Sequence, residues 1–510
     1  MRESMAIALL VAIIVGLAIL SPGHDAPKAP EVDVNDGSGA EDDVPLNASC
    51  TTATAASLSA VNLTETWRAV GEKVIFSSPN TADLNGDGTL DIIIGSGSET
   101  EQVGAVQAID GATGEIIWRV DTSGEMVGTA TLIDLNGDST VDIVAGGRDQ
   151  QLVGIDGATG TVLWRFDPAD PAQDAWFQFY TGVDIGDIDG DGTADILQAN
   201  GGDPLKAVEE EREAGSLVIV SGADGHAIIS VEMPDGRETY MSPIVTSLTP
   251  GSPPIVLFGS GGETFSGSLW SVPLSDLVNG SLANASELIT PTVTKGVIAP
   301  PSVVDLDDDG TLDIVAALFD GRLVAVSGSN HSIMWNLSIG GESYSSPAIG
   351  QFDDDPAPDA FIQFLTGAWP EYTGASSRAV SGPNGSILLA RQSDSSAVSS
   401  PLAVDLDGNG RDEVVLVEGA LGFPAGGLHA ITILDACTGD EKTIWNGSGF
   451  PISTPVIIDL DSDGTLEMVW ASSSFEDGWT VHRGELTAAT PPTLSWGGYL
   501  GTSHTGASPL

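Results

Sequence analysis

Asp83-Leu84-Asn85-Gly86-Asp87-Gly88-Thr89-Leu90-Asp91 runs straight into Ile92-Ile93-Ile94-Gly95, and the reading of this stretch decides the fold. Oxygen-bearing side chains stand at positions one, three, five and nine of the loop. The glycines between them permit a tight turn, and the apolar run that follows reads as a buried strand. Similar loops begin at Asp134, Asp187, Asp305, Gln351, Asp405 and Asp459, a period of about fifty residues outside one long gap.

Each unit has the same plan. A small-residue strand such as Ser77-Ser78-Pro79 leads into the acidic loop, a β-run leaves it, and a second hairpin follows. In the first unit that hairpin is Ala108-Ile109-Asp110-Gly111-Ala112-Thr113-Gly114-Glu115-Ile116-Ile117-Trp118. The gap between Asp187 and Asp305 holds one more unit in degenerate form, with strands Met241-Ser242-Pro243-Ile244-Val245 and Ile255-Val256-Leu257-Phe258-Gly259 but Pro250 to Pro254 in place of the acidic loop. Eight units of four short strands predict an all-β, eight-bladed β-propeller, with seven blades as the alternative. A β-solenoid needs shorter rungs and a string of sandwich domains needs longer members.

The ends of the repeat region bear on ring closure. Trp67 lies 16 residues before Asp83, as Trp118 lies 16 before Asp134, so the segment around Trp67 reads as a fourth strand without a blade of its own. Such a strand suits the last blade. Trp496 occupies a comparable place for the eighth unit, which leaves the closing terminus open.

Upstream, Met5 to Leu20 is uncharged and apolar, so residues 1–22 read as a signal peptide or membrane anchor helix. Residues 23–60 form an acidic, Pro-, Ser- and Thr-rich linker expected to be a disordered stalk, and residues 61–510 the propeller. The chain is thus expected to be exported, at the cell surface or secreted, with membrane contact only through residues 1–20. Eight Asn-x-Ser/Thr sequons, the first at Asn47 and Asn62, agree with a glycoprotein outside the cytoplasm. Two cysteines, Cys50 and Cys437, are free to form one bond, and the sequence does not say whether they do.

Composition excludes one class of partner. With 72 acids against 17 Lys plus Arg the net charge is −55, so the chain lacks the cationic surface that nucleic-acid phosphates require. Much of that acidity sits in the loops. Positions one, three, five and nine give Asp83, Asn85, Asp87 and Asp91; Asp134, Asn136, Asp138 and Asp142; Asp187, Asp189, Asp191 and Asp195. Beyond the gap they give Asp305, Asp307, Asp309 and Asp313; Gln351 with Asp353, Asp355 and Asp359; Asp405, Asp407, Asn409 and Glu413; Asp459, Asp461, Asp463 and Glu467. Alternate oxygen donors in a tight loop suit Ca²⁺, which takes six to eight oxygens. About six or seven structural calcium sites are expected, the sixth loop being weakened by Gln351 and Pro356. An EF-hand would need a carboxylate at position twelve, where Ile94, Ala145, Ala316 and Trp470 stand.

Loop and flanking strands together resemble the FG-GAP repeats of integrin α-subunits and related surface proteins, from about Ala60 onward. The resemblance implies a propeller with calcium between the first and second strands of a blade. A second resemblance lies in Ala108, Asp110, Thr113, Gly114 and Trp118, which look like the tryptophan-docking motif of quinoprotein-like (PQQ-type) propellers. Asp156, Thr159, Gly160 and Trp164 repeat it, and Trp335 and Trp445 continue it. The resemblance implies that each Trp docks between blades.

No catalytic constellation emerges. The chain has no adjacent cysteines, its six His show no ligand spacing, and no Gly-x-Ser-x-Gly elbow precedes a helical pattern. The sequence therefore reads as a non-catalytic propeller acting in adhesion, in binding a glycan or protein, or as a scaffold. The alternatives are a polysaccharide-lyase-like carbohydrate enzyme and an envelope assembly scaffold of quinoprotein-like type. The binding face is expected opposite the calcium loops, where Trp176, Phe177, Phe179, Tyr180, Phe265, Trp369, Tyr372, Phe423, Phe475 and Trp479 fall in irregular loops.

Overall fold

In the computed structural model, eight antiparallel sheets follow one another along the chain, each of four strands, one with a fifth added. The structure describes residues 58–508 except 168–177, 204–205, 207–209, 294, 369–370, 396–397, 420–427 and 451. The apolar N-terminal run, the stalk, Cys50, Trp176, Phe177, Trp369 and Phe423 lie outside the described residues. Blade 1 is typical: Asn80–Ala82 is innermost, then Asp91–Ser98, Val103–Ile109 and, outermost, Ile116–Thr122. Its second strand is buried throughout, since both sheet faces pack against neighbouring blades. The degenerate fourth unit forms a full blade from Ile244–Thr246 to Ser286–Ile289, so the ring has eight blades.

The N-terminus closes the ring. Asn62–Gly71 pairs antiparallel with Gly478–Thr487 and supplies the outermost strand of blade 8, with Trp67 opposite Arg483. Trp496 has another role. Its strand, Thr493–Trp496, adds to the inner edge of blade 7 beside Leu402–Asp405. The chain then runs on through the channel: Ile457 donates to the Gly497 carbonyl, Val303 to Gly506, and the Tyr499 hydroxyl lies 3.2 Å from Ser242 Oγ. The C-terminal segment thus lines and fills part of the central channel.

The small residues before each inner strand have a specific task. The backbone N–H of Ser78 donates to Thr129 Oγ1, Thr129 to Thr181, and Thr181 to Ser242; on the far side Ser346 donates to Ser400, Ser400 to Thr454, and Thr454 back to Ser78. A belt of hydroxyls therefore links blade to blade around the channel. It is broken at blade 5, where Pro300 holds this place with neither an N–H to donate nor a hydroxyl to accept. Ser346 Oγ is accordingly buried without a partner.

Tryptophans join the blades farther out. The indole N–H groups of Trp67, Trp118, Trp164 and Trp335 donate to the carbonyls of Gly111, Gly157, Gly222 and Gly382 in the next blade, at 2.8, 2.7, 2.7 and 2.6 Å. Trp445 departs from this pattern. Blade 8 ends its third strand at Thr487 and takes its fourth from the N-terminus, so it has no hairpin turn to receive an indole. Trp445 instead packs edge-on against Trp470 and His482. Cys437 is disulfide-bonded, and the one other cysteine in the sequence is Cys50.

The belt makes a defined prediction. Thr454→Val keeps the side-chain shape but removes the acceptor of the buried Ser400 N–H, which should lower unfolding free energy by about 1–3 kcal/mol in urea. An unchanged denaturation midpoint would show that the belt contributes nothing.

Candidate metal loops and the central channel

Seven acidic loops fall on one face of the ring, together with the turns between third and fourth strands. The contact is direct: Asn85 Nδ2 reaches Asp110 Oδ2 at 3.2 Å, and Asn136 Nδ2 reaches Asp156 Oδ2 at 3.1 Å. Position nine does the most work within each loop. Asp91, Asp142, Asp195, Asp313, Asp359, Glu413 and Glu467 are all buried. One oxygen of each accepts the N–H of the residue at position two, from Leu84 at 2.9 Å to Leu460 at 2.8 Å.

Where position nine is Asp, its second oxygen accepts the N–H of a turn glycine, Gly111, Gly157, Gly222, Gly328 or Gly382. Only glycine fits there, because a Cβ on Gly157 would lie 1.9 Å from the Val141 carbonyl oxygen. The two loops with Glu are the two whose blades lack that glycine. Blade 7 has Ala436 in its place. Blade 8 has no such turn, and Arg483 fills the space, donating to the Gly111 carbonyl at 2.8 Å and meeting Asp461 at 2.7 Å.

Position one organises the turn. Asp83 Oδ1 accepts Gly86 N–H at 2.8 Å and Oδ2 accepts Gly88 N–H at 3.1 Å, and Asp134, Asp187 and Asp405 repeat the arrangement. Position five caps the outgoing strand, as when Asp87 Oδ1 accepts Thr89 N–H. In four loops the carboxylates at positions one, three and nine converge: Asp187, Asp189 and Asp195; Asp305, Asp307 and Asp313; Asp405, Asp407 and Glu413; Asp459, Asp461 and Glu467, with one oxygen of each within 4.8 Å of the others. Asp191, Asp309, Asn409 and Asp463 stand outside these groups. In the first two loops Asn85 and Asn136 bring an amide to position three. In blade 6, Gln351 turns its amide onto the Pro356 carbonyl, and Asp353, Asp355 and Asp359 are not among the convergent groups.

Burial makes these clusters costly when charged. It lifts Asp313 to about 6, Asp359 and Glu413 to about 8 and Glu467 to about 7, with neighbouring loop carboxylates adding to the rise. Packed acids that close together need protons or a cation. The loop of blade 8 has a counter-ion of its own, since Arg483 also lies 3.7 Å from Glu467.

The opposite face carries the loops between second and third strands. Several aromatics assigned to it from sequence are packed inward: Phe179 and Trp479 are fully buried, and the Tyr372 hydroxyl donates to Glu342 at 2.6 Å. Phe265 and Phe475 are half-buried. Sequence reading passed over the ion pairs that ring this mouth. Arg148 meets Glu125 at 2.9 Å, Arg212 meets Glu238 at 3.2 Å and Lys295 meets Glu342 at 2.9 Å.

With this geometry in place, the comparisons are informative. Residues 57–240, the closing strand and blades 1 to 3, match a PQQ-type family model described as outer membrane protein assembly factor BamB. No curated protein sequence matches the chain. Among solved structures, the quinohemoprotein alcohol dehydrogenase of Comamonas testosteroni superposes with a TM-score of 0.55 at 11% identity, covering 84% of this chain and 77% of that one. A europium-containing methanol dehydrogenase gives 0.54 at 12% identity, covering 83% and 93%. Sqt1 of Saccharomyces cerevisiae gives 0.52 at 9%, covering 83% and 99%. Residues 57–240 carry the resemblance to PQQ-type repeats, and the likeness to the solved structures establishes the propeller fold alone.

The quinone itself does not fit. Pyrroloquinoline quinone is a tricarboxylate, and it would meet a mouth whose Arg148, Arg212 and Lys295 are already paired with glutamates. Glu263, buried, adds a carboxyl with no ion pair among the described residues and is pushed up to about 8 by burial. The Tyr499 segment also occupies part of the channel beneath.

Position nine gives the test of loop architecture. Asp142→Ala strands the buried N–H groups of Leu135 and Gly157 and should cost at least about 2 kcal/mol in chelator. Asp138→Ala, at the exposed rim, should barely move the midpoint. Equal effects of the two substitutions in urea denaturation would contradict this division of roles.

Proposed function

We propose that the chain is a non-catalytic, exported propeller serving as an envelope scaffold, with calcium held in its FG-GAP-like loops to stiffen the frame. The match of residues 57–240 to the outer membrane assembly factor model is the observation that carries the scaffold reading. The paired cations of the channel mouth support it by disfavouring an anionic quinone. A protein partner is the ligand this reading calls for, bound on the face opposite the acidic loops. Adhesion is the same chemistry used between cells. Scaffold and enzyme separate in one assay: chain incubated with the quinone, calcium and an electron-acceptor dye should reduce no dye with alcohols or aldose sugars. In-cell cross-linking from the face opposite the acidic loops should trap a defined envelope protein. Substrate-dependent dye reduction would overturn the reading.

The calcium part rests on the carboxylates that converge at Asp187, Asp305 and Asp405 and their partners. Its pH dependence has a definite sign. A carboxyl raised in the folded state favours the protonated protein, so its stabilisation is present below about pH 4 and lost as pH rises through folded values of about 6 to 8. A bound cation replaces the proton. Calcium should therefore raise the melting temperature more at about pH 8 than at about pH 5, and chelator should reverse the gain. A calcium-independent melt at both pH values would refute calcium in the loops.

A further inference from the structure

Asparagine is unevenly placed in this chain. It occurs 14 times, and in eight cases a Ser or Thr stands two residues on with no Pro between. Ser and Thr together supply 89 of the 510 residues, so a random order would put one two places after only two or three of the 14. Turn chemistry does not account for the excess. Asn62, Asn336 and Asn446 lie in strands, whereas Asn85, Asn136 and Asn409, which do lie in tight turns, are followed at that place by Asp87, Asp138 and Arg411.

The fold separates the two kinds. Asparagines outside the motif serve the interior or the acidic loops: Asn80 and Asn200 are buried and donate to the carbonyls of Ala130 and Gln178, and Asn85, Asn136 and Asn409 accept a loop N–H each. The seven described asparagines of the motif, Asn62, Asn279, Asn284, Asn330, Asn336, Asn384 and Asn446, are all exposed. Their partner Ser or Thr is exposed too, except Ser281, which is half-buried. Each asparagine stands on the outermost strand of a blade or on the connection leading into it. Asn330 and Asn384 accept the N–H of Ser332 and Ser386 through Oδ1 at 2.8 Å, which occupies the oxygen and leaves the amide nitrogen. Asn62, Asn279 and Asn284 donate through that nitrogen only to exposed acceptors on Ala60, Ser275 and Asp276. Around the ring the distribution is one-sided. All seven fall in blades 4 to 8, and the outermost strands of blades 1 to 3, Ile116–Thr122, Val162–Arg165 and Ala227–Glu232, contain no asparagine. No loop between second and third strands, at the channel mouth, carries the motif.

We infer that these seven asparagines are N-glycosylated, so that sugar covers the circumference of blades 4 to 8 and leaves blades 1 to 3 and the channel mouth bare. Export is a condition of this assignment as it is of the scaffold reading, because such acceptors are used in secreted chains. In the transfer, Nδ2 bonds to C1 of an oligosaccharide carried on a polyprenyl diphosphate. The C1–O bond breaks with its electron pair going to the departing lipid diphosphate, and the amide proton passes to a base of the host's transferase. No oxidant or reductant is needed. On Asn336 and Asn446, each inside an outermost strand, a bulky glycan also stands on a free sheet edge and blocks strand pairing between copies. The face that the scaffold reading gives to a protein partner is the face without acceptors.

Intact-glycopeptide mass spectrometry of the full chain, recovered from the envelope or medium of the cells that make it, tests this directly. At least four of the seven asparagines should carry an oligosaccharide mass, while Asn85, Asn136 and Asn409 keep the mass of plain asparagine. In the same cells Asn336→Gln and Ser338→Ala should each remove one glycan and speed migration on a denaturing gel by one step. Ser338→Thr should leave migration unchanged. Sugar on fewer than four of the seven overturns the proposal without reliance on any variant. That result leaves the scaffold reading standing, because that reading is judged by dye reduction and cross-linking; a chain found in the cytoplasm alone overturns the export on which both rest.

Discussion

Pairing of Asn62–Gly71 with Gly478–Thr487 is the constraint on which the rest of the structure depends, because a propeller without a closed ring is a row of sheets with exposed edges. Closing the ring brings Thr454 to Ser78 and completes the hydroxyl belt across the seam. It also places Trp67 against the Gly111 carbonyl of blade 1, so the strand that ends the last blade docks on the first. The seam carries compensations for the missing turn of blade 8: Arg483 bonds the same carbonyl, and Trp445 turns aside onto Trp470 and His482. Lys442 of blade 7 holds the carbonyl of Ser59 at 2.9 Å, just ahead of the closing strand.

Buried carboxylates are the second organising feature, and they explain why the acidic loops are so regular. An Asp at position nine unites two turns of one blade through its two carboxylate oxygens, each accepting one backbone N–H. That geometry leaves the loop with several close negative charges and a frame that folds best when they are neutralised. The acidic loops and the channel mouth are on opposite faces of the ring. The acidic loops repeat around the ring, and the tyrosine-lined channel mouth is where the chain departs from repeat symmetry.

Much of this was legible in the sequence, because it repeats. Position nine and the Asp-Gly turns recur at fixed offsets, so eight blades, the degenerate fourth unit and the Trp67 strand could be read from period alone. Trp445 docks between blades as its motif implies, on Trp470 and His482 of blade 8, but it lacks the turn-glycine carbonyl because of where the chain breaks rather than because of any local residue. The hydroxyl belt was hidden: single Ser and Thr residues ahead of an inner strand carry little signal, and only three-dimensional closure shows that Pro300 interrupts a hydrogen-bonded circle. The channel mouth was hidden for a different reason. Tyr180, Tyr240, Tyr344, Tyr372 and Tyr499 occupy unlike contexts in five segments, and the loop aromatics that look exposed in sequence, Phe179 and Trp479, are buried by contacts formed only in the ring.

The most direct measurement is a crystal structure of the chain grown in calcium, with anomalous differences used to locate the ions. The account predicts density between Asp187, Asp189 and Asp195, between Asp305, Asp307 and Asp313, and between Asp405, Asp407 and Glu413, with none at the 247–254 turn of blade 4. Empty loops with the same carboxylates still gathered, or ions bound elsewhere on the ring, would contradict it.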